Sequence, residues 1–267
     1  MGIRTDVRYE NGNLKVADSH SGTDTRYELP EVDRSDLLLS GAYGESWKQE
    51  AGVSDSAIDS LAATQSGIAK SFNTLMEIRD KQSPHNTQAQ HLDNLNKDYD
   101  QAISRFGTQM DRATDHANSR LKEIDQQFRQ HVGWDEKDAQ ELRAVVRGMD
   151  SSERSEFISD AVANGDGQAL AAILGSHPSL VGLTKEQQQN YRQRAIRTNA
   201  PRLANLESTV SKARDTTRKA FIDFIERKES VTAKSVREKY QQQAEEHAAA
   251  RKRATGDDSA NRWNLFG

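Results

Sequence analysis

Residues 92–132 read LDNLNKDYDQAISRFGTQMDRATDHANSRLKEIDQQFRQHV, with apolar residues recurring at steps of three or four. Such spacing collects apolar side chains on one face of an α-helix, and here it persists for about six heptads. The sequence therefore predicts a long helix in a coiled coil or bundle, ended by Gly133-Trp134-Asp135. The apolar stripe consists of Leu92, Leu95, Tyr99, Ala102 or Ile103, Phe106, Met110, Ala113, Ala117, Leu121, Ile124, Phe128 and Val132.

The same period occurs on both sides of this stretch. One earlier helix is expected to begin after a cap at Ser54 or Asp55, whose side-chain oxygens can accept hydrogen bonds from the first free amides. A later helix is expected to begin at Pro201, because proline suits the first turn. Together these patterns predict a stalk made of residues 53–132, which hold two helices, and residues 201–255, which form a single third helix.

Residues 134–200 have a different texture, in which short periodic pieces alternate with Gly, Ser and Asp. We expect them to form a small head inserted between the second and third stalk helices. Thr184 and Gln187 have the spacing of a capping box. The four predicted helices are Asp138–Val146, Ser152–Ala163, Gln168–Leu174 and Lys185–Thr198. The residues expected to fill the core before the last of these helices are Leu180, Val181 and Leu183.

The two ends of the chain are predicted to be a separate arm and a tail. In residues 1–52, Asn11-Gly12 lies between two short alternating runs, which is the pattern of a β-hairpin. Since a lone hairpin is only marginally stable, the arm either packs on something or orders when a partner binds. Residues 256–267 are expected to be a flexible tail. Its apolar residues are either a docking peptide for a partner or part of a frayed terminus; they are Trp263, Leu265 and Phe266.

The composition favours an extended helical fold. Only 34% of the 267 residues are hydrophobic and 29% are charged, whereas a compact globular protein uses about half apolar residues. Thin helical bundles need only a narrow apolar stripe. The predicted fold class is therefore all-α: an elongated helical bundle or coiled-coil stalk with a small inserted four-helix head and a short N-terminal β-hairpin arm.

No combination of residues predicts catalysis. The chain lacks cysteine, which excludes disulfides, thiol catalysis and cysteine-bound zinc. Its seven histidines include no pair with the i, i+4 spacing of a zinc helix. Gly165-Asp166-Gly167 lacks the further acidic ligands of a calcium loop, so we interpret it as a turn in which glycine permits positive φ. We expect no catalytic, metal or cofactor site, and we expect that the protein is not an enzyme.

The charge pattern gives little support for nucleic-acid binding. The formal net charge is −4, although residues 211–253 carry twelve basic and seven acidic residues. The densest basic cluster, Arg251, Lys252 and Arg253, could contact phosphates, but basic residues late in a helix also complement its dipole. We favour the second interpretation. No apolar run reaches the length of a membrane span, and the first residues lack the apolar core of a signal peptide, so a soluble protein is expected.

Three short motifs between residues 149 and 184 resemble segments of tailed-bacteriophage proteins encoded among virion and head-assembly genes. The motifs are MDSSER (149–154), ALAAILG (169–175) and PSLVGLT (178–184). The resemblance implies a phage or prophage origin and a location in the host cytoplasm or in the virion. It brings no catalytic residues with it.

The leading hypothesis is a non-enzymatic structural or assembly protein of a tailed phage. Such a protein would act through helical self-association and terminal docking peptides, with other virion proteins as partners. Self-association is expected because thin helices bury little surface per residue. Two alternatives stay open: a coiled-coil adaptor or regulator of a host process, and a DNA-contacting packaging accessory.

Overall fold

The computed structural model describes residues 7–10, 13–16, 26–33 and 43–255 of the chain. Helices make up most of this described part, so the predicted all-α class is confirmed. The helices are α1 (Gly44–Ala51), α2 (Ser56–Asp80), α3 (Gln88–His131), α4 (Ala139–Gly148), α5 (Ser151–Asn164), α6 (Gly167–Leu174), α7 (Lys185–Asn199), α8 (Pro201–Glu226), α9 (Lys228–Val231) and α10 (Lys234–Thr255). A 3₁₀ helix, Pro178–Val181, lies between α6 and α7.

Two short strands precede the helices. Strand β1 (Val7–Glu10) pairs antiparallel with β2 (Asn13–Val16), and Glu10 lies opposite Asn13. The Asn11-Gly12 pair that connects them lies outside the described residues. Whether this arm needs a partner to become ordered stays a prediction.

The long helix α3 buries the stripe that its periodicity predicts. Ala102 rather than Ile103 is the buried member at that turn, and Leu121 is only half-buried. Removing these side chains from water supplies the favourable free energy that a polar helix of this length otherwise lacks. The buried members are Leu92, Leu95, Tyr99, Ala102, Phe106, Met110, Ala113, Ala117, Ile124, Phe128 and Val132.

Helix α2 begins at a cap supplied by Asp55. Its Oδ1 accepts a hydrogen bond from the Ala57 amide at 3.0 Å, and its Oδ2 accepts one from Arg120 Nε of α3 at 2.7 Å. Of the two caps that the sequence allows, Asp55 is therefore the one used. The same carboxylate caps α2 and ties it to α3.

The chain divides into two compact units. Unit 1 comprises residues 1–34, 73–101 and 226–267, and unit 2 comprises residues 35–72 and 102–225. Unit 2 holds a continuous apolar core to which α1, α2, α3 and the short helices contribute. Fully buried members with large side chains include Trp47, Ile58, Phe128, Ile158 and Leu170. The whole of residues 134–200 belongs to this unit.

The four short helices of residues 134–200 occur close to their predicted positions, as α4 to α7. The capping box before α7 is confirmed: Thr184 Oγ1 accepts from the Gln187 amide at 3.1 Å, and Gln187 Oε1 accepts from the Thr184 amide at 2.8 Å. A second capping box, at Asp150 and Glu153, starts α5. Each box satisfies amides that a helix leaves without intrahelical partners.

The apolar residues before α7 do not all enter the core. Val181 is fully buried and Leu183 is half-buried, but Leu180 is 47% exposed. The prediction that Leu180 fills the core is therefore wrong. Pro178–Val181 forms a 3₁₀ helix, whose three-residue turn directs neighbouring side chains to different sides, so Leu180 and Val181 do not share an environment.

The predicted single helix over residues 201–255 is also wrong, because the structure breaks it into α8, α9 and α10. The chain is interrupted twice, at Arg227 and at Thr232-Ala233. The second interruption includes Ala233, which has φ of +47°. Val231, Thr232 and Ala233 are all fully buried, and Arg237 Nε donates to the Thr232 carbonyl oxygen at 3.0 Å. Burial of these three residues and the hydrogen bond from Arg237 to the Thr232 carbonyl stabilise this interruption, although a positive φ is unfavourable for alanine.

None of the helices in the described part of the chain combines the length and the apolar character that crossing a membrane requires.

Candidate functional site

The described histidines serve as structural partners or face solvent. His91 is buried, with Nε2 3.3 Å from the Arg79 carbonyl oxygen, and His131 Nε2 lies 2.8 Å from the Asn199 carbonyl oxygen. His177 Nδ1 accepts from the Ser179 amide and caps the 3₁₀ helix. His116 Nε2 lies 3.2 Å from Ser56 Oγ. The remaining described histidines, His85 and His247, are exposed.

The Gly165-Asp166-Gly167 segment is a connection between helices α5 and α6. Asp166 Oδ1 caps α6 by accepting from the Gln168 and Ala169 amides at 3.1 and 3.0 Å. Gly165 has φ of +65°, as the turn interpretation predicts. Gly167 is required for a different reason from the predicted one: a side chain there would collide with the backbone carbonyls of Val132 and Gly133, which directly follow α3. Within the described residues, no group of three or more potential ligands could hold a metal ion.

The MDSSER motif performs two structural tasks in unit 2. Asp150 caps α5, accepting from the Ser152 and Glu153 amides at 2.8 and 2.9 Å. The Arg154 guanidinium donates to the carbonyl oxygens of Val146, Arg147, Met149 and Gly182, at 2.6–3.4 Å. Arg154 thus satisfies carbonyls at the end of α4 and after the 3₁₀ helix. This motif, one of the three that carry the resemblance, has a role in local folding, and its contacts assign no chemistry.

An ion cluster centred on Arg192 ties α7 to α3 and α8 within unit 2. Arg192 contacts Asp125 at 2.9 Å and Glu207 at 2.8 Å, and Arg129 contacts Asp125 at 2.7 Å. Burial tends to raise the pKa of Asp125, but hydrogen bonds from Arg192 and Arg129 outweigh it, so this pKa lies below its ordinary value. Every charge in the cluster has an opposite partner, which is the pattern of a structural clamp.

An extended segment, Arg26–Asp33, is held in unit 1 by side chains from distant parts of the chain. Gln88 binds both backbone groups of Tyr27: Oε1 accepts from the amide and Nε2 donates to the carbonyl oxygen, each at 2.9 Å. Arg79 donates to the Pro30 carbonyl oxygen, and Arg227 donates to that of Asp33. Sequence reasoning missed this segment because it has no periodicity and its partners lie far away along the chain.

The same segment anchors the first turns of α10. Tyr240 packs edge-on against Tyr27 with ring centroids 5.0 Å apart, and its hydroxyl donates to Gln88 Oε1 at 2.5 Å. Gln243 Nε2 donates to the Tyr27 hydroxyl at 2.7 Å. Even so, every residue of α10 from Gln241 to Ala254 is exposed. Helix α10 is therefore anchored by side-chain contacts in its first turns, and its remaining residues are exposed to solvent.

This exposed surface includes the densest basic cluster of the sequence, for which phosphate contact is the less favoured interpretation. Arg251, Lys252 and Arg253 lie in the last turns of α10, where their charge complements the helix dipole. Two acidic residues, Glu245 and Glu246, lie on the same exposed stretch. The candidate docking residues of the tail, Trp263, Leu265 and Phe266, lie outside the described residues, so the choice between a docking peptide and a frayed terminus stays open. Of the sequence-predicted sites, α10 thus carries the basic cluster, and it is the candidate interaction surface of the chain.

Comparisons with protein-family models, with curated proteins and with solved structures give no match to this chain. The phage resemblance consequently stays an expectation drawn from three short motifs.

Proposed function

We propose that this chain is a non-enzymatic structural or assembly protein of a tailed bacteriophage that acts through helical self-association and terminal docking peptides. The observation that carries the proposal is the surface of α10, where Gln241–Ala254 are all exposed on a helix whose start is anchored. Isolated helices of this length are marginal in water, so a partner along the helix would stabilise it.

The contacts of several polar side chains in unit 2 support a non-catalytic role. Side chains that often perform chemistry are engaged in structural contacts: His131 bonds a backbone carbonyl, Asp166 caps a helix, and Asp125 joins two arginines. The phage setting rests on the resemblance of the three motifs. The proposal also includes an architecture: an elongated bundle or coiled-coil stalk, a head formed by residues 134–200 and a hairpin arm. It further includes other virion proteins as partners and a location in the host cytoplasm or the virion.

The experiment that tests the phage role is quantitative mass spectrometry of purified particles from a phage whose genome encodes the chain. We expect the protein at a fixed stoichiometry in mature particles or in assembly intermediates. If it occurs only in the infected lysate, free of both, the adaptor or regulator function replaces the structural one.

A further inference from the structure

The exposed part of α10 carries a charge arrangement that is symmetric about Ala249. Glu245 and Glu246 precede Ala249 by four and three residues, and Lys252 and Arg253 follow it by three and four. Positions three and four residues apart lie on one face of an α-helix. All four charged side chains therefore share the face of Ala249, with the acidic pair at one end and the basic pair at the other.

The contacts of Arg253, Glu245 and Glu246 agree with that placement. Arg253 Nε donates to the Ala249 carbonyl oxygen at 3.3 Å, so the arginine side chain lies back along this face. Glu245 and Glu246 accept hydrogen bonds from Gln241 and Gln242, at 3.1 and 3.0 Å. A carboxylate has further acceptor capacity, and both glutamates are exposed, so each can receive a cation from another molecule.

From this arrangement we infer that a second copy of the chain docks antiparallel on this face of α10, with the twofold axis passing near Ala249. The acidic pair of each copy then lies opposite the basic pair of the other, as a self-complementary twofold interface requires. A parallel, in-register pair would instead place acid beside acid and base beside base. This inference rests on the proposed self-association and specifies its geometry.

The small side chain at the centre supports the same arrangement. Alanine at the crossing point lets two helix axes approach to about 8 Å, the close end of the usual range. The charged pairs then flank the crossing within about 6 Å along the helix axis, since each residue rises about 1.5 Å. The pairs are solvent-exposed, so the association is expected to weaken as salt is raised.

A single engineered cysteine tests the geometry in the full-length protein, because the natural chain has no cysteine. Under mild oxidation we expect Ala249→Cys to form a covalent dimer, since the two copies meet at this residue. Gln242→Cys is the matched control on the same exposed face. In the antiparallel pair its two copies are about 21 Å apart, far beyond disulfide reach, whereas a parallel pair would bring them together. Cross-linking of Gln242→Cys without Ala249→Cys overturns the inference.

Charge reversal tests the identity of the partner. In sedimentation experiments, we expect the Glu245→Lys/Glu246→Lys variant and the Lys252→Glu/Arg253→Glu variant each to self-associate at least about tenfold more weakly than the wild type. The chain carrying all four substitutions should recover association, because its face is again self-complementary. Recovery would not follow if the natural occupant were a different protein.

Besides the cross-linking outcomes, three results would overturn the pairing. One is self-association unchanged in both reversed variants. Another is failure of the fourfold variant to recover. The third is a monomeric chain that binds duplex DNA and whose Lys252→Glu/Arg253→Glu variant no longer binds it. That result would make the face a nucleic-acid surface. If the wild type is oligomeric by light scattering while Ala249→Cys stays uncross-linked, the pairing fails and the proposed self-association stands. A strictly monomeric wild type contradicts the proposed function itself.

Discussion

Truncation of Phe106 tests the packing of α3 in unit 2. Phe106 is 3% exposed, and its ring meets Phe224 of α8 edge-on, with centroids 6.0 Å apart. Helix α2 approaches so closely that a Cβ added at Gly67 would lie 3.0 Å from the Phe106 ring. Phe106→Ala therefore removes a ring enclosed by three helices. We expect it to lower the free energy of unfolding by about 3–4 kcal/mol, as in other buried phenylalanine truncations.

The assay is urea unfolding followed by circular dichroism and tryptophan fluorescence. Ile222→Ala on α8 is the matched control: Ile222 is 43% exposed, and its truncation should cost less than about 1 kcal/mol. In a double-mutant cycle, Phe106→Ala and Phe224→Ala should show a coupling of about 0.5–1.5 kcal/mol. Phe106→Asp should be worse than Phe106→Ala, because it places a carboxylate among apolar groups. A loss below about 1 kcal/mol for Phe106→Ala would refute the packing described.

Three further substitutions test caps, charge and close packing in unit 2. Asp125→Asn should lower the free energy of unfolding by about 1 kcal/mol at neutral pH. Because the pKa of Asp125 is lowered in the folded state, this difference from the wild type in urea unfolding should persist above about pH 4. It should disappear as the pH falls through the folded-state pKa of Asp125. Asp150→Ala should lower stability by about 1 kcal/mol, whereas Asp150→Asn, an equally good cap, should retain most of it; equal thermal melting of the two would contradict the capping role. Gly167→Ala should cost at least about 1–3 kcal/mol through collision with the backbone that directly follows α3, while Gly148→Ala, where an added Cβ meets nothing within 4 Å, should be neutral or stabilising.

The helical stripe and the capping signals could be read from the sequence because both are local. The apolar residues of the stripe between Leu92 and Val132 repeat at helical spacing, and nearly all of these apolar residues are buried, as that period predicts. Thr184 and Gln187 lie three residues apart and need no distant partner to form their box. Such features depend on neighbours along the chain, so the sequence contains them directly.

Other features could not be predicted because distant contacts decide them. The apolar spacing continues weakly past Val231, yet the helix is interrupted there, where Val231–Ala233 are buried and Arg237 donates to the Thr232 carbonyl oxygen. The segment Arg26–Asp33 has no repeat, and its anchor Gln88 is a polar residue at the start of another helix. Likewise, hydropathy alone does not tell which side of a 3₁₀ helix Leu180 faces.

The candidate interaction surface on α10 could be predicted from the sequence only in part. The basic cluster at Arg251–Arg253 stands out in the sequence, and so does the acidic pair before it. The structure adds that the whole stretch around Ala249 is exposed, and that the helix carrying it is anchored at its start by Tyr240. Only then does their shared face indicate an interaction surface. Exposure depends on what the rest of the chain covers, which a local pattern does not encode.

The measurement that tests the central claim most directly is the molar mass of the full-length protein in solution, determined by light scattering over a wide range of protein concentration. The chain has a mass of 29.9 kDa. A self-associating assembly protein predicts a mass that rises with concentration to at least twice this value, and that falls back as salt is added. A constant mass of 29.9 kDa at every concentration and salt condition would contradict the account.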